Sequence, residues 1–327
     1  MDENCSKQVQ THAFIVNTIY PPFMIVEFLL GLPGNVLALW IFYFHLKVSR
    51  PNTVYLLNLV MADFLLLIGL PFQIDTYRRN TWIFGRALCH INLFMLAVNR
   101  SASIAFMTII AVDRYFKVVH PHHRINQLTV QHARLIVGGA WTLLVSLRLP
   151  LLVSPVYEER DNISQCYSFG HTGRLPLGIR LHYIVYVGEF FLPLLLMMFC
   201  SIRIICILHN RLMTQKKKKV QRAIRVVMVV MGIFFICFSP GIISGLIALW
   251  FQTYRPHDCA SKQLCSELFR FFIGFTYMNS AMDPAIYCFS SSSFRNVLKS
   301  TFSRVGLSKK HASHRRSTIS GRHFISP

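Results

Sequence analysis

Arg100 makes the sharpest chemical demand in this chain, because it is a single guanidinium inside the apolar run Leu93-Phe94-Met95-Leu96-Ala97-Val98-Asn99-Arg100-Ser101. It stands eleven positions after Cys89 and fourteen before Arg114. On a helix those offsets are about 16 Å and about 21 Å, which puts Arg100 near the centre of any bilayer the run crosses. A charge there costs at least about 2.5–3.5 kcal/mol on insertion scales, so it must face protein and needs an anionic partner. Guanidinium grips a carboxylate through two parallel N–H···O bonds, which makes an acid ligand its natural complement. The alternative is a permanent internal pair, for which Glu27, Glu189 and the polar cluster beside Asn99 are available. The cost of the charge alone favours neither.

Other polar residues interrupt the apolar runs. Asp63, Asn99, Ser103, Asn279 and Asp283 can meet as one cluster at mid-membrane, where polar atoms need each other. Pro240 removes a backbone donor and predicts a kinked helix. No catalytic set is visible. His-Glu-x-x-His is absent, and His120, His122 and His123 flank Pro121 without the cysteine or acid that would complete a zinc site. The expectation is a protein that is not an enzyme and needs no cofactor.

Nine cysteines divide in two groups. Cys200, Cys206, Cys237 and Cys288 lie inside apolar runs and read as small packing residues, whereas Cys5, Cys89, Cys166, Cys259 and Cys265 fall between them on one side. A Cys89–Cys166 bridge would tie the top of the third span to the following outer loop. For a second bridge, Cys5 with Cys259 or Cys265 is preferred to Cys259–Cys265; sequence leaves the pairing open. Sequons at Asn4 and Asn162 face the same side, Asn162 being the better candidate for glycosylation; Asn99-Arg100-Ser101 is a mid-span coincidence.

These residues need elements that cross a membrane. Of 327 residues 53% are hydrophobic and 14% charged, with mean hydropathy +0.44, and the apolar residues form seven blocks instead of one core. The blocks are Ile19–Phe44, Val54–Phe72, Cys89–Val112, Leu135–Val156, Leu181–Leu208, Val226–Phe251 and Leu268–Phe289, each near the ~20 residues of a spanning helix. Unpaired backbone is too costly in lipid for anything but helices, and no alternating pattern suggests a barrel. The expected fold is an all-α seven-helix bundle. Met1 to Gln10 is polar and no cleavable leader is visible. The segment 1–18 reads as an outer N-terminus, 19–292 as the membrane domain, 293–305 as an amphipathic helix with Phe294, Val297, Leu298 and Phe302 on one face, and 306–327 as a disordered tail.

A formal charge of +21 in a soluble chain would suggest nucleic acid. Here the basic residues gather after odd-numbered spans: Lys47 and Arg50, Arg114 and Lys117, Lys216–Lys219, then the tail. Glu158, Glu159, Asp161, Asp258 and Glu267 occupy the opposite loops. The bias puts the N-terminus outside and the tail inside, against the anionic inner leaflet. Nucleic acid is thereby set aside as a partner. Seven unlike spans also argue against the paired halves of a transporter.

In order, one set per span, stand Gly34-Asn35 with Ala38, Asn58-Leu59 with Ala62-Asp63, Cys89 with Asp113-Arg114-Tyr115, Trp141, Pro193, Cys237-Phe238-Ser239-Pro240, and Asn279 with Asp283-Pro284-Ala285-Ile286-Tyr287. Together they resemble the rhodopsin-class G-protein-coupled receptors over almost the whole chain. The resemblance implies a plasma-membrane receptor in which Arg114 is released to contact a G protein. Asp113, Tyr115, Phe238, Pro240, Pro284 and Tyr287 take part in that activation. It also implies a sodium ion held by Asp63, Asn99, Ser103, Asn279 and Asp283. Three departures stand out: Phe238 where many relatives carry Trp, no acid around Val220 to lock Arg114, and Ser201 where a Tyr often assists activation.

The run around Arg100, with Val118-Val119-His120-Pro121-His122-His123, Glu189-Phe190-Phe191-Leu192-Pro193 and Phe275-Thr276-Tyr277-Met278-Asn279-Ser280, is similar to the hydroxycarboxylic acid receptors. It is similar also to the oxoeicosanoid and hydroxyeicosatetraenoic acid receptors. That resemblance makes Arg100 the carboxylate anchor, supported by Tyr277 and Ser168. Leu96 stands where amine receptors carry an Asp, and Trp82 remains from a first-loop tryptophan pair whose partner is Asn80 here. It implies an inhibitory G protein that lowers cyclic AMP, and receptor kinases with arrestin acting on Ser317, Thr318 and Ser320. Cys259, Cys265 and Tyr287-Cys288-Phe289-Ser290 lean toward a lipid-derived hydroxy or oxo acid, while His-Pro-His-His leans toward a small hydroxycarboxylate or nicotinate-like acid.

Overall fold

The computed structural model describes residues 18–46, 50–160, 163–166, 177–210, 217–255, 258–301 and 303. Among them run seven long helices: α1 (Tyr20–Trp40), α2 (Pro51–Arg79), α3 (Gly85–Val119), α4 (Val130–Arg148), α5 (Leu177–Asn210), α6 (Lys217–Tyr254) and α7 (Cys259–Ser290). An antiparallel hairpin of β1 (Tyr157–Arg160) and β2 (Ile163–Cys166) separates α4 from α5, with Glu158 opposite Gln165.

Local chemistry sets the ends. Prolines in the first turn open α1 and α2, where a missing N–H costs nothing. Asn80, in the left-handed region at φ 56°, closes α2. Thr129 caps α4 through the N–H of His132, and Asp258 caps α7 by accepting from the N–H of Ser261 at 3.1 Å. That N–H holds the Asp258 carboxyl below the usual carboxylate range. The fourth apolar block overran its helix: after Arg148 one further turn, Pro150–Val153, ends the run, and Ser154 to Val156 are no longer helical.

Burial is inverted relative to a water-soluble protein. Leu29, Leu30, Ile184, Leu192 and Leu195 point outward, 61–71% exposed, while Asn35, Asp63, Ser103 and Asp283 are fully buried. That arrangement suits hydrocarbon outside and mutual hydrogen bonding inside. Among the described residues six helices, α1 to α6, are long and apolar enough to cross a membrane. α7 is as long but carries Glu267, Arg270 and Asp283. Packed against α1 and most extensively against α6, it occupies the seventh place in the bundle.

The disulfide Cys89–Cys166, with its Cα atoms 5.8 Å apart, fastens the outer end of α3 to β2. Cys265 is a free thiol, half-buried on α7. Asn4, Cys5, Asn162 and Ser168 lie outside the described residues, as does the side chain of Cys259. At the inner end, residues 292–301 are helical. Phe294 is buried there, its ring centroid 5.4 Å from that of Phe42, and Val297 and Leu298 pack on the same core.

Gly34 lets α1 approach α7, since a Cβ there would stand 2.8 Å from Pro284 Cγ. Gly34→Val is expected to destabilise the bundle by about 1–3 kcal/mol, read as a lower melting temperature in detergent. An unchanged melting temperature would contradict the close approach.

Candidate ligand site

A cavity of about 60 Å³ opens at the outer end of the bundle. α3 supplies Arg100 and Leu96, α7 supplies Tyr277 and Arg270, α2 supplies Gln73 and α5 supplies His182. Arg100 is 5% exposed, and its guanidinium carbon lies 4.3 Å from the centre of the Tyr186 ring. The ring face attracts the charge but cannot satisfy the in-plane N–H groups. Nη2 of Arg100 is buried without a hydrogen-bond partner, and among the described residues no carboxylate forms an ion pair with it.

Both internal acids are accounted for. Glu27 on α1 is buried with neither oxygen hydrogen-bonded. Glu189 on α5 pairs with a different cation, Arg148, at the outer end of α4. Arg148 is almost wholly buried, and also donates from Nε to Ser101 Oγ at 3.0 Å and meets His182 Nδ1 at 2.9 Å. Arg148 and His182 went unassigned at the sequence level, as did Gln73 and Arg270. Arg148 carried the signal that singled out Arg100, a lone charge inside an apolar block.

Tyr277 and Leu96 line the cavity with Arg100, whereas Trp82 does not. Its ring is buried with Cys89, Cys166 and Leu93, its Nε1 donates to Gly85 O at 2.8 Å, and its backbone N–H donates to Ser164 O at 2.8 Å. Its place under the disulfide is structural packing.

Deeper in, Asp63 accepts from Ser280 Oγ at 2.6 Å and from the Tyr287 hydroxyl at 2.8 Å. Asn279 Nδ2 donates to Asp283 at 3.2 Å, and Asn99 Nδ2 donates to Ala62 O at 2.9 Å. Ser103 Oγ, Asn279 Oδ1 and Asp283 Oδ1 are buried without partners. Phe238 is buried in α6 against Phe234, ring centres 5.4 Å apart, half a turn before Pro240.

At the inner end a second cavity, of about 310 Å³, is lined by Arg50, Asn52, Arg114, Lys117, Arg222 and Ser290 among others. Arg114 donates to Asn52 Oδ1 and to Ser290 Oγ, and lies 3.8 Å from Asp113, which Lys117 also pairs at 2.7 Å. Arg222 of α6 donates to Ser290 O at 3.3 Å. α6 therefore meets this region through a cation, not an acid. The Tyr115 hydroxyl is 3.1 Å from His120 Nε2.

Comparison with known proteins follows the same outline. The family model described as 7 transmembrane receptor (rhodopsin family) matches residues 34–287. The chain is 42% identical over 295 residues to Hydroxycarboxylic acid receptor 2 of Homo sapiens, covering 89% of this chain and 79% of that one. It is 41% identical over 288 residues to human Oxoeicosanoid receptor 1, covering 87% and 72%. Against the mouse 12-(S)-hydroxy-5,8,10,14-eicosatetraenoic acid receptor it is 35% identical over 303 residues, covering 91% and 92%.

Trp82→Ala is expected to cost about 3–5 kcal/mol of stability, seen as a lowered melting temperature and reduced surface display. Normal stability with altered ligand binding would instead return Trp82 to the site.

Proposed function

The chain belongs to the rhodopsin family of seven-transmembrane receptors, and on that footing we propose that it is a G-protein-coupled receptor for a hydroxy- or oxo-carboxylic acid. The observation that carries the proposal is Arg100: a buried guanidinium beside a cavity, with no carboxylate of the described chain paired to it. A ligand carboxylate docked there would accept two N–H bonds from Arg100, with Tyr277 at hand as a further donor. The body of the ligand would run outward past Leu96 toward Gln73 and Arg270. The relatives' names supply the class, hydroxycarboxylic acids on one side and oxidised eicosanoids on the other. A lipid-derived acid is the first reading. The second reading is a small hydroxycarboxylate or nicotinate-like acid, the class that the name of the relative at 42% identity supplies.

The receptor faces outward with its N-terminus at the plasma membrane. It signals through an inhibitory G protein that lowers cyclic AMP. α6 swings at Pro240, its inner end leaves Ser290, and Arg114 exchanges Asn52 and Ser290 for the G protein. The basic inner cavity suits an acidic or carboxylate-terminated G-protein segment. Receptor kinases and arrestin act on the tail. The unpartnered oxygens of Ser103, Asn279 and Asp283, with the Asp63 carboxylate, would suit a sodium ion, whose charge would balance the buried acids and favour the resting packing.

The test is cyclic AMP in transfected cells, against short hydroxy acids, ketone bodies, nicotinate and oxidised C20 acids. Arg100→Ala is expected to lower the potency of the active acid about hundredfold or more with surface display retained; equal loss of display would reassign Arg100 to structure. Arg100→Lys should rescue poorly because the planar fork is lost, so full potency in that variant would rule out two-point binding. For the ion, Asp63→Asn should abolish any dependence of agonist affinity on sodium concentration. Persistence of that dependence would remove the cluster from consideration.

A further inference from the structure

We propose that Arg148 is a positioning residue that keeps Arg100 available, by holding the one α5 carboxylate that would otherwise neutralise it. The inference deepens the acid-receptor reading and takes its functional meaning from it. Glu189 is the only acid in α5. It lies three residues after Tyr186, on the same helical face, and Arg100 rests on the Tyr186 ring at 4.3 Å. Ser101, the neighbour of Arg100 in the chain, receives the Nε–H of Arg148 at 3.0 Å. The charges of Arg100 and Arg148 act on each other, and both act on Tyr186 and His182. Two arginines and one glutamate therefore share one buried neighbourhood.

Glu189 is not equally divided between them. Its Oε2 pairs with Arg148, and its Oε1 is buried with no hydrogen-bond partner. Arg148 is fixed by three separate contacts, to Ser101, His182 and Glu189, so its guanidinium is committed and its orientation is set. Arg100 has none of these anchors. A half-satisfied carboxylate in a low-dielectric interior seeks the nearest cation. Remove the charge of Arg148, and the carboxylate is left one helical turn from the Tyr186 ring on which Arg100 rests. With Arg148 present the three groups sum to one unbalanced positive charge, at the residue that lines the cavity. Without it they sum to zero, and Arg100 no longer offers a diffusible acid an unbalanced charge. Glu27 does not alter the comparison, since it forms an ion pair with neither arginine.

The experiment reads the availability of Arg100 directly, with no agonist. Full-length receptor is treated with phenylglyoxal, which adds to accessible unpaired guanidinium groups, and labelling of the Arg100 peptide is followed by mass spectrometry. Arg148→Gln is the main variant, because it keeps hydrogen-bonding capacity toward Ser101 and His182 while losing the charge. Arg100 labelling is expected to slow about tenfold in Arg148→Gln, to stay near the wild-type rate in Arg148→Lys, and to recover when Glu189→Gln is added to Arg148→Gln. Recovery in the double variant is the result a merely structural role would not give. Unchanged labelling in Arg148→Gln overturns the proposal, as does a double variant no faster than the single, or a wild-type Arg100 as unreactive as that of Arg148→Gln. If the labelling pattern holds while no acid in the cyclic AMP screen acts through Arg100, the acid-receptor reading falls and the role of Arg148 stands.

Discussion

A guanidinium inside a membrane-spanning bundle cannot be left without an electrostatic answer, and the molecule gives Arg100 only a partial one. The Tyr186 ring covers one face of the charge, which lowers its cost without meeting its hydrogen-bonding demand. Full compensation has to come from an anion. The acids within reach are spent or unengaged: Glu189 is bound to Arg148, and Glu27 pairs with no cation. What remains is a deficit of one negative charge beside a cavity open to the outside. Such a deficit favours an anion, and it selects for charge before shape.

The same constraint links the two ends of the molecule. Arg100 and Arg114 belong to one helix, fourteen residues apart, which is about 21 Å. Between them lies the Asp63 cluster, where Ser280 and Tyr287 of α7 bond to α2. Arg114 is itself held by α2 and the end of α7, and Arg222 ties α6 to the same Ser290. Neutralising Arg100 changes the field along α3 and α5, while Pro240 inside α6 removes a backbone donor and gives that helix a place to bend. Outer site, polar core and inner cavity are thus joined by α3 and α7, which carry Arg100, Asn99 and Arg114 on one side and Tyr277, Asp283 and Ser290 on the other.

Much of this was legible in the sequence, for reasons that differ by residue. The seven helices follow from block lengths, because lipid leaves the backbone no other choice. Arg100 was legible because a charge in an apolar run is costly enough to be conspicuous. α7 was the weakest span by composition, since its polar residues face the bundle, and only packing against α1 and α6 restores its place. Which acid pairs with which arginine was not legible. Glu189 stood as a candidate partner for Arg100, and its engagement by Arg148 depends on the inner face of α4, which periodicity does not resolve to one residue. Trp82 was drawn to the ligand by resemblance, but its ring serves the packing under the Cys89–Cys166 bridge. Cys265, offered as a bridge partner on side alone, is a free thiol. Loop cysteines announce their compartment and not their connectivity.

The most direct measurement is the distance between a bound acid and the guanidinium. A receptor carrying 15N-arginine, loaded with a carboxyl-13C acid agonist and measured by dipolar recoupling in the solid state, reports it. The account predicts a carboxyl carbon within about 4 Å of Arg100 nitrogens, as a two-point pair requires, and loss of that coupling when Arg100 is replaced. A bound agonist whose carboxyl shows no coupling to Arg100, or the same coupling after its replacement, would contradict it.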